Sequence, residues 1–312
     1  MDSTFISIGE SIHASIPKTG KIMKQLAQLG PDAYAKPSEP LDYIKSLVES
    51  QANDGADYIA VNIDAFGENQ PQVAIDMMVE YVKMVRNWGH GVPVCIDSGN
   101  DDVLVAGLKQ WFDTDEEVKQ PLLNSVKVFT MDKILPLKKD YDFAFVGILV
   151  AESGQNHGVE DLYSIARQIY DAAVAVYGFR AEEIFFDATV FPLAIDMPMQ
   201  PGESSHTYKT FETTKKIKDD PQMRNCHFIG GISNSMRDLP ARKVGIMRAF
   251  VHRAMEYGMD SGIVNVKHHL EKGQADAELL KLVDAYAAMD GSPEKLTEAM
   301  MLMGKFCQES RK

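Results

Sequence analysis

Short runs of β-branched and aromatic residues recur along the chain, and a longer stretch with helical spacing follows most of them. The apolar runs cover 4–9, 58–63, 93–98, 122–126, 143–150, 183–189, 227–233 and 262–266. Most are apolar on both faces, which predicts buried parallel strands rather than half-exposed antiparallel ones. Between them, 71–88 places Ala74, Met77, Met78, Tyr81, Val82 and Val85 at i, i+3, i+4 spacing and predicts an amphipathic helix. Residues 41–53, 160–177, 241–257 and 272–288 carry the same spacing, and Ser292-Pro293 marks the start of a last helix over 292–309. Residues 18–39 read as an insertion with one helix over 21–29, and the helix after 122–126 is short. Eight such units predict a closed (β/α)8 barrel, one domain over 1–312 with C-terminal helices. An open doubly wound sheet would carry a GxGxxG turn after its first strand, and "IGESIH" has none.

Charge narrows the partners. The formal net charge is -13, which argues against wrapping a nucleic-acid backbone or lying on an anionic membrane. Cys95, Cys226 and Cys307 are scattered, with no CxxC pair, so neither a zinc site nor a disulfide framework is signalled. The longest apolar stretch, "FAFVGILVA" at 143–151, is too short to span a bilayer, and "MDSTFISIGESIH" lacks the form of a secretory signal. A cytoplasmic protein is the expectation.

In a barrel the chemistry sits where strands end at the C-terminal mouth. Glu10 follows the first run, and Asn62 and Asp64 close the second. Asp97, with Ser98 and Asn100, closes the third. Asn124 and Ser125 lie in the fourth, Asp187 in the sixth, Ser233 and Asn234 end the seventh, and Asn265 lies in the eighth. No strand core carries a lysine for a Schiff base. The only histidine pair, in "KHHL" at 267–270, is adjacent on a helix and points two ways, so no metal site is expected. Asp and Asn remain. A carboxylate accepts two hydrogen bonds, and an amide both donates and accepts. That combination suits a neutral heterocycle with an amino group, ring N–H groups and a carbonyl, the edge of a 2-amino-4-oxo-pterin.

Structural roles compete at each position. Asp97 can orient its loop, although Asn100 and Asp101 are better placed to cap the next helix. Asn62 can tie strand ends together. Asp187, in "FFDATVFP", needs a partner if buried. Asn234 follows two glycines that permit close backbone approach, or it caps the next helix.

In order and spacing, "GADYIAVNIDA", "VPVCIDSGNDDVLVAGLK", "LLNSV", "EEIFFDATVFPLA" and "FIGGISNS" resemble the pterin-binding methyltransferases that act on methyltetrahydrofolate and corrinoid proteins. Dihydropteroate synthase belongs to the wider group. The resemblance covers roughly residues 5–270. It implies a barrel holding tetrahydrofolate across its mouth, a corrinoid (cobalamin) carried by a partner protein, and a homodimer. By position, Asp97, Asn124 and Asp187 match the pterin-edge ligands, Asn234 the asparagine that reaches N5, and Arg242 an arginine near the pterin. Ser233 would lie beside them, with Glu10 and Asn62 also at the folate site. The implied reaction is methylcobalamin plus tetrahydrofolate in exchange with cob(I)alamin plus 5-methyltetrahydrofolate. The alternatives are a dihydropteroate synthase-like pterin enzyme, a non-catalytic folate-binding subunit and an unrelated barrel lyase. The opening "GESIH" departs from the family's Gly-Glu-Arg run and puts His13 where an asparagine is usual, a candidate proton relay. Residues 18–39 also exceed the usual first loop.

Overall fold

The computed structural model describes residues 5–154, 158–198 and 200–309. Eight parallel strands form one sheet: β1 (Ile6–His13), β2 (Tyr58–Asn62), β3 (Val94–Asp97), β4 (Leu122–Lys127), β5 (Ala144–Ile148), β6 (Ile184–Asp187), β7 (His227–Phe228) and β8 (Ser261–Val264). Their order is β7-β6-β5-β4-β3-β2-β1-β8. The two ends meet after β7, where Gly231 bridges Ile263 and the Ile263 N–H donates to the Gly230 carbonyl at 2.9 Å. This is the (β/α)8 barrel that the alternation predicts.

Helices wrap the sheet: α1 (Pro17–Gln28), α2 (Glu39–Asn53), α3 (Pro71–Trp88), α4 (Asp101–Phe112), α5 (Met131–Ile134), α6 (Val159–Asp171), α7 (His206–Asp219), α8 (Lys243–Glu256), α9 (Ala277–Ala287) and α10 (Pro293–Glu309). α3 covers the stretch that its periodicity predicts and buries Ala74, Met77, Met78, Tyr81, Val82 and Val85. α4 is capped by Asn100, whose Oδ1 accepts the Asp102 N–H at 2.9 Å, and Asp101 and Asp102 in its first turn suit the helix dipole. Among the described residues no helix is long and apolar enough to cross a membrane.

Several expectations shift. β1 runs on through His13, with a register slip between Gly9 and Ile12, so Glu10 lies inside the strand rather than after it. The seventh run is a strand only at His227–Phe228, because Gly230 and Gly231 turn their backbone to β8 and Ile232–Met236 winds into a 3-10 turn. α6 ends at Asp171, and a π-turn continues over Ala172–Val176. His268 and His269 occupy the end of a 3-10 turn and a left-handed position, not a helix. Thr4 and residues 155–157 of the "AESGQNHG" loop lie outside the described residues.

Two apolar layers make the core. Strand residues facing outward, such as Val61, Ile96 and Phe186, pack under the helices. Those facing inward fill the barrel: Ile8, Ala60, Cys95, Leu122, Ala144, Val146, Phe185 and Ile229 form one buried cluster. Strand side chains alternate, so the residue two positions beyond each inward apolar one also points inward, one layer nearer the mouth.

Candidate active site

That next layer is polar. Asn62 lies two beyond Ala60, Asp97 two beyond Cys95, Asn124 two beyond Leu122, and Asp187 two beyond Phe185. Parallel register aligns them, pairing His13 with Asn62, Asn62 with Asp97, and Asp97 with Asn124. The sequence places an amide or a carboxylate at this level on four strands, and the pleat turns each into the mouth.

Asp97 is the centre of the group. Its Oδ1 accepts the Asn124 amide N–H at 3.1 Å, and its carboxylate also hydrogen-bonds the Asn62 side chain. Burial pushes its acid dissociation up to about 7. The Asn62 bond opposes the rise, and the charges of Asp64 and Asp187 add to it. Asp187 faces it from β6. Burial raises that carboxyl to about 6 against the pull of the Thr189 N–H, 2.7 Å from its Oδ1. Burial thus disfavours the ionised form of both carboxyls, a cost that partners supplying donors would offset.

Asp64 braces this layer. Its Oδ1 accepts the Ser98 hydroxyl at 2.5 Å and its Oδ2 the Gly99 N–H at 2.7 Å, fixing the loop after β3. Through these two bonds Asp64 positions the loop after β3. Ser98 passes the constraint on, accepting the Asn100 N–H at 3.0 Å. His13 closes the β1 side. Burial lowers its basicity while the charge of Asp64 raises it. Its Nδ1 accepts the Ser15 N–H at 3.1 Å, so in the neutral ring the proton resides on Nε2.

A second group joins β1 to the segment after β7. The Ser233 hydroxyl donates to Glu10 Oε2 at 2.8 Å, and burial raises the Glu10 carboxyl despite that bond and one from the Asn265 backbone. Asn234 is next along the 3-10 turn. Its amide folds back over Gly231: a Cβ built on that glycine would stand 3.1 Å from Asn234 Nδ2. The glycine pair therefore provides the room the sequence implied.

Arg242 sits elsewhere. It takes a left-handed backbone conformation ahead of α8, and its Nη2 donates to Asp276 Oδ2 at 2.6 Å, beside α9 and α10. Thr189 was not singled out by sequence. It holds φ at 69°, a costly conformation for a β-branched residue, directly after Asp187 and Ala188. No sequence pattern marks such a position.

A family model described as pterin binding enzyme matches residues 32–265, three quarters of the chain. The chain belongs to the pterin-binding enzyme family. Solved structures are similar to it in fold. Dihydropteroate synthase from Yersinia pestis, with a pterine–sulfa conjugate, matches at 12% identity and TM-score 0.52, over 91% of this chain and 95% of that one. Dihydropteroate synthase from Stenotrophomonas maltophilia matches at 16% identity and TM-score 0.49, over 79% of this chain and 89% of that one. At such identities the likeness concerns the barrel alone. In this pterin-binding enzyme, the inward layer at the mouth carries two amides and two carboxyls, Asn62, Asn124, Asp97 and Asp187.

Proposed function

We propose that this pterin-binding enzyme moves a methyl group between N5 of tetrahydrofolate and the cobalt of a corrinoid carried by a partner protein. The observation that carries the reading is the inward polar layer of Asn62, Asp97, Asn124 and Asp187 with the Asn234 amide at the β7–β8 side. A pterin's exocyclic amine and ring N–H would replace water as donors to Asp97 and Asp187 and offset the cost of their burial. The Asn124 amide, already held by Asp97, keeps its carbonyl for a further donor.

The corrinoid supplies a cobalt nucleophile in one direction and the methyl in the other. The chain's own work is orientation and charge. When the methyl leaves, the C–N5 electron pair stays on nitrogen, and a proton must reach N5. Asn234 accepts from a protonated N5 through its oxygen or donates to a neutral N5 through its nitrogen. Held over Gly231, it gives that contact without reorganisation. His13, level with Asn62 on β1, is a titratable group that would hold or pass the proton.

A dihydropteroate synthase-like role needs cations for a pyrophosphate leaving group. After the seventh strand, "ISNSMRD" lacks the Lys/Arg-plus-Ser arrangement such a role requires. The deciding assay mixes methylcobalamin, tetrahydrofolate and the protein and follows the corrinoid absorbance. Loss of the methylcobalamin spectrum with formation of 5-methyltetrahydrofolate is expected. Folate binding with no transfer leaves a carrier role, and no folate binding overturns the reading.

A further inference from the structure

The charges around the mouth are divided between its two sides. Residues 63–70, 98–102, 149–158 and 188–205, which follow β2, β3, β5 and β6, hold seven carboxylates and neither lysine nor arginine. After β4, Lys127 donates to the Gly99 carbonyl at 2.7 Å and Lys133 pairs with Asp101 at 3.5 Å. The other basic groups gather after β7, β8 and β1, which are neighbours where the barrel closes. Arg237 and Lys243 follow β7, Lys267 follows β8, and α1 carries Lys18, Lys21 and Lys24 with no acidic residue. All six are exposed. Asp238 is the opposing charge beside Arg237, while Asp276 is engaged by Arg242 and Glu271 lies 3.8 Å from Lys272. Among the described residues none of Lys21, Lys24, Arg237, Lys243 and Lys267 has an acidic partner, and Lys18 lies over the Tyr43 ring, 4.7 Å from its centroid. On a chain of net charge -13, this arc is the part of the mouth that attracts an anion.

The arc is a row rather than a pocket. Thr19, Met23 and Leu26 are the buried side of α1, so Lys18, Lys21 and Lys24 form a stripe on its outer side, each step rising about 4.5 Å. α1 begins at Pro17, just past His13 at the end of β1. The turn Val266–His268, which holds Lys267, packs against β1. Arg237 ends the turn that carries Asn234, and its N–H donates to the Asn234 carbonyl at 3.0 Å. The row therefore runs outward from the Asn234 side of the mouth. One small anion is held by donors that converge on it, whereas separated cations in a row match charges that repeat along a chain.

We propose that this rim receives the poly-γ-glutamyl chain of a folate, which makes a polyglutamylated tetrahydrofolate the preferred substrate. The inference rests on the folate reading of the mouth. With the amino-oxo edge of the pterin at β3, β4 and β6 and N5 at Asn234, C6 is the neighbour of N5 on the ring remote from that edge. C6 bears the tail, which therefore leaves toward β7, β8 and β1. Each added glutamate brings one more carboxylate to the row.

Calorimetry on the full chain tests this with three probes: tetrahydrofolate, which carries one glutamate, its pentaglutamate form, and the free γ-linked pentaglutamate peptide. The pentaglutamate form is expected to bind about 30-fold tighter than tetrahydrofolate at low salt, as several weak surface ion pairs act together, and most of that advantage should vanish in about 0.5 M salt. Lys21→Glu/Lys24→Glu should cut the advantage about tenfold and Lys267→Glu about threefold, with tetrahydrofolate itself unchanged, whereas Lys21→Arg/Lys24→Arg should keep it. Equal affinity of the wild-type chain for the two folates overturns the proposal and leaves the rim to an acidic protein surface. An advantage undiminished in both glutamate variants also overturns it. If the wild-type chain binds neither folate, the folate reading of the mouth fails, and the free peptide decides the rim: salt-sensitive binding lost in Lys21→Glu/Lys24→Glu supports a site for an anionic chain, and no binding overturns it.

Discussion

Asn124 donates its amide N–H to Asp97 Oδ1 at 3.1 Å, joining β3 to β4 at the level where the barrel interior turns from apolar to polar. Burial leaves Asp97 under-solvated as an anion despite its hydrogen bonds, and this contact fixes the direction in which the Asn124 carbonyl faces.

Asp97→Asn is therefore expected to separate stability from binding. The native carboxyl titrates near 7, whereas an unfolded aspartate titrates at about 4. The native state holds the proton more tightly, so stability falls as pH rises from about 4 through 7 and stays low above. Replacing the acid raises the ligand-free melting temperature at pH 8, and the gain vanishes near pH 4. Calorimetric scans across that range check it. The same variant should bind tetrahydrofolate about 100-fold more weakly at pH 8. Wild-type affinity should drop below pH 7 as Asp97 takes up its proton.

The Gly231–Asn234 approach makes a paired prediction. Asn234→Ala lowers the methyl-transfer rate by about 100-fold while tetrahydrofolate affinity changes little, since its contact matters as charge develops at N5. Gly231→Ala keeps the amide but displaces it, because the new methyl would meet Nδ2 at 3.1 Å. The backbone at 231 has φ at -75°, so alanine is tolerated there. A rate loss of about tenfold with unchanged melting temperature is expected. Equal rates in wild type and both variants would remove Asn234 from the mechanism.

His13→Ala tests the proton path. The histidine is half-buried near Asp64 and its basicity is lowered. If it holds the proton for N5, the variant loses one limb of the pH–rate profile, on the acid side of the ordinary histidine range. An unaltered profile would assign the proton to solvent.

The opposite end of the barrel offers a prediction about stability alone. Glu183, just ahead of β6, is buried. Burial would raise its carboxyl, but the Arg180 N–H at 2.9 Å, Lys138 at 3.0 Å, the Arg180 guanidinium at 3.0 Å and Gln120 at 2.8 Å hold it at about 2. The ordinary value is 4.5, so this stabilisation is complete above that pH and is lost as pH falls toward 2. Glu183→Gln should cost about 3 kcal/mol at pH 7 and almost nothing at pH 2, measured by denaturant unfolding. Methyl transfer at neutral pH should be unchanged below the melting transition, since the cluster lies at the stabilising face.

The apolar–polar pattern alone determined the barrel and most of the polar layer at its mouth. Strand side chains alternate, so "AVN", "CID", "LLN" and "FFD" each turn their polar residue toward the same interior as the apolar residue two before it. Where that alternation breaks, only tertiary structure decided. β1 continues through "ESIH" because β2 pairs with Ile12 and His13, and β7 stops after two residues because its glycines are drawn to β8. α7 escaped the periodic reading because the face it buries carries Thr207, Lys209, Thr210, Thr213 and Thr214 rather than a run of apolar residues. The burial of Lys209 was hidden with it. The left-handed turn at Thr189 and the turn of Arg242 toward Asp276 are likewise outcomes of packing between distant segments. Local sequence sets which way a side chain leaves its strand. Which partner it meets depends on parts of the chain that come together only when the barrel closes.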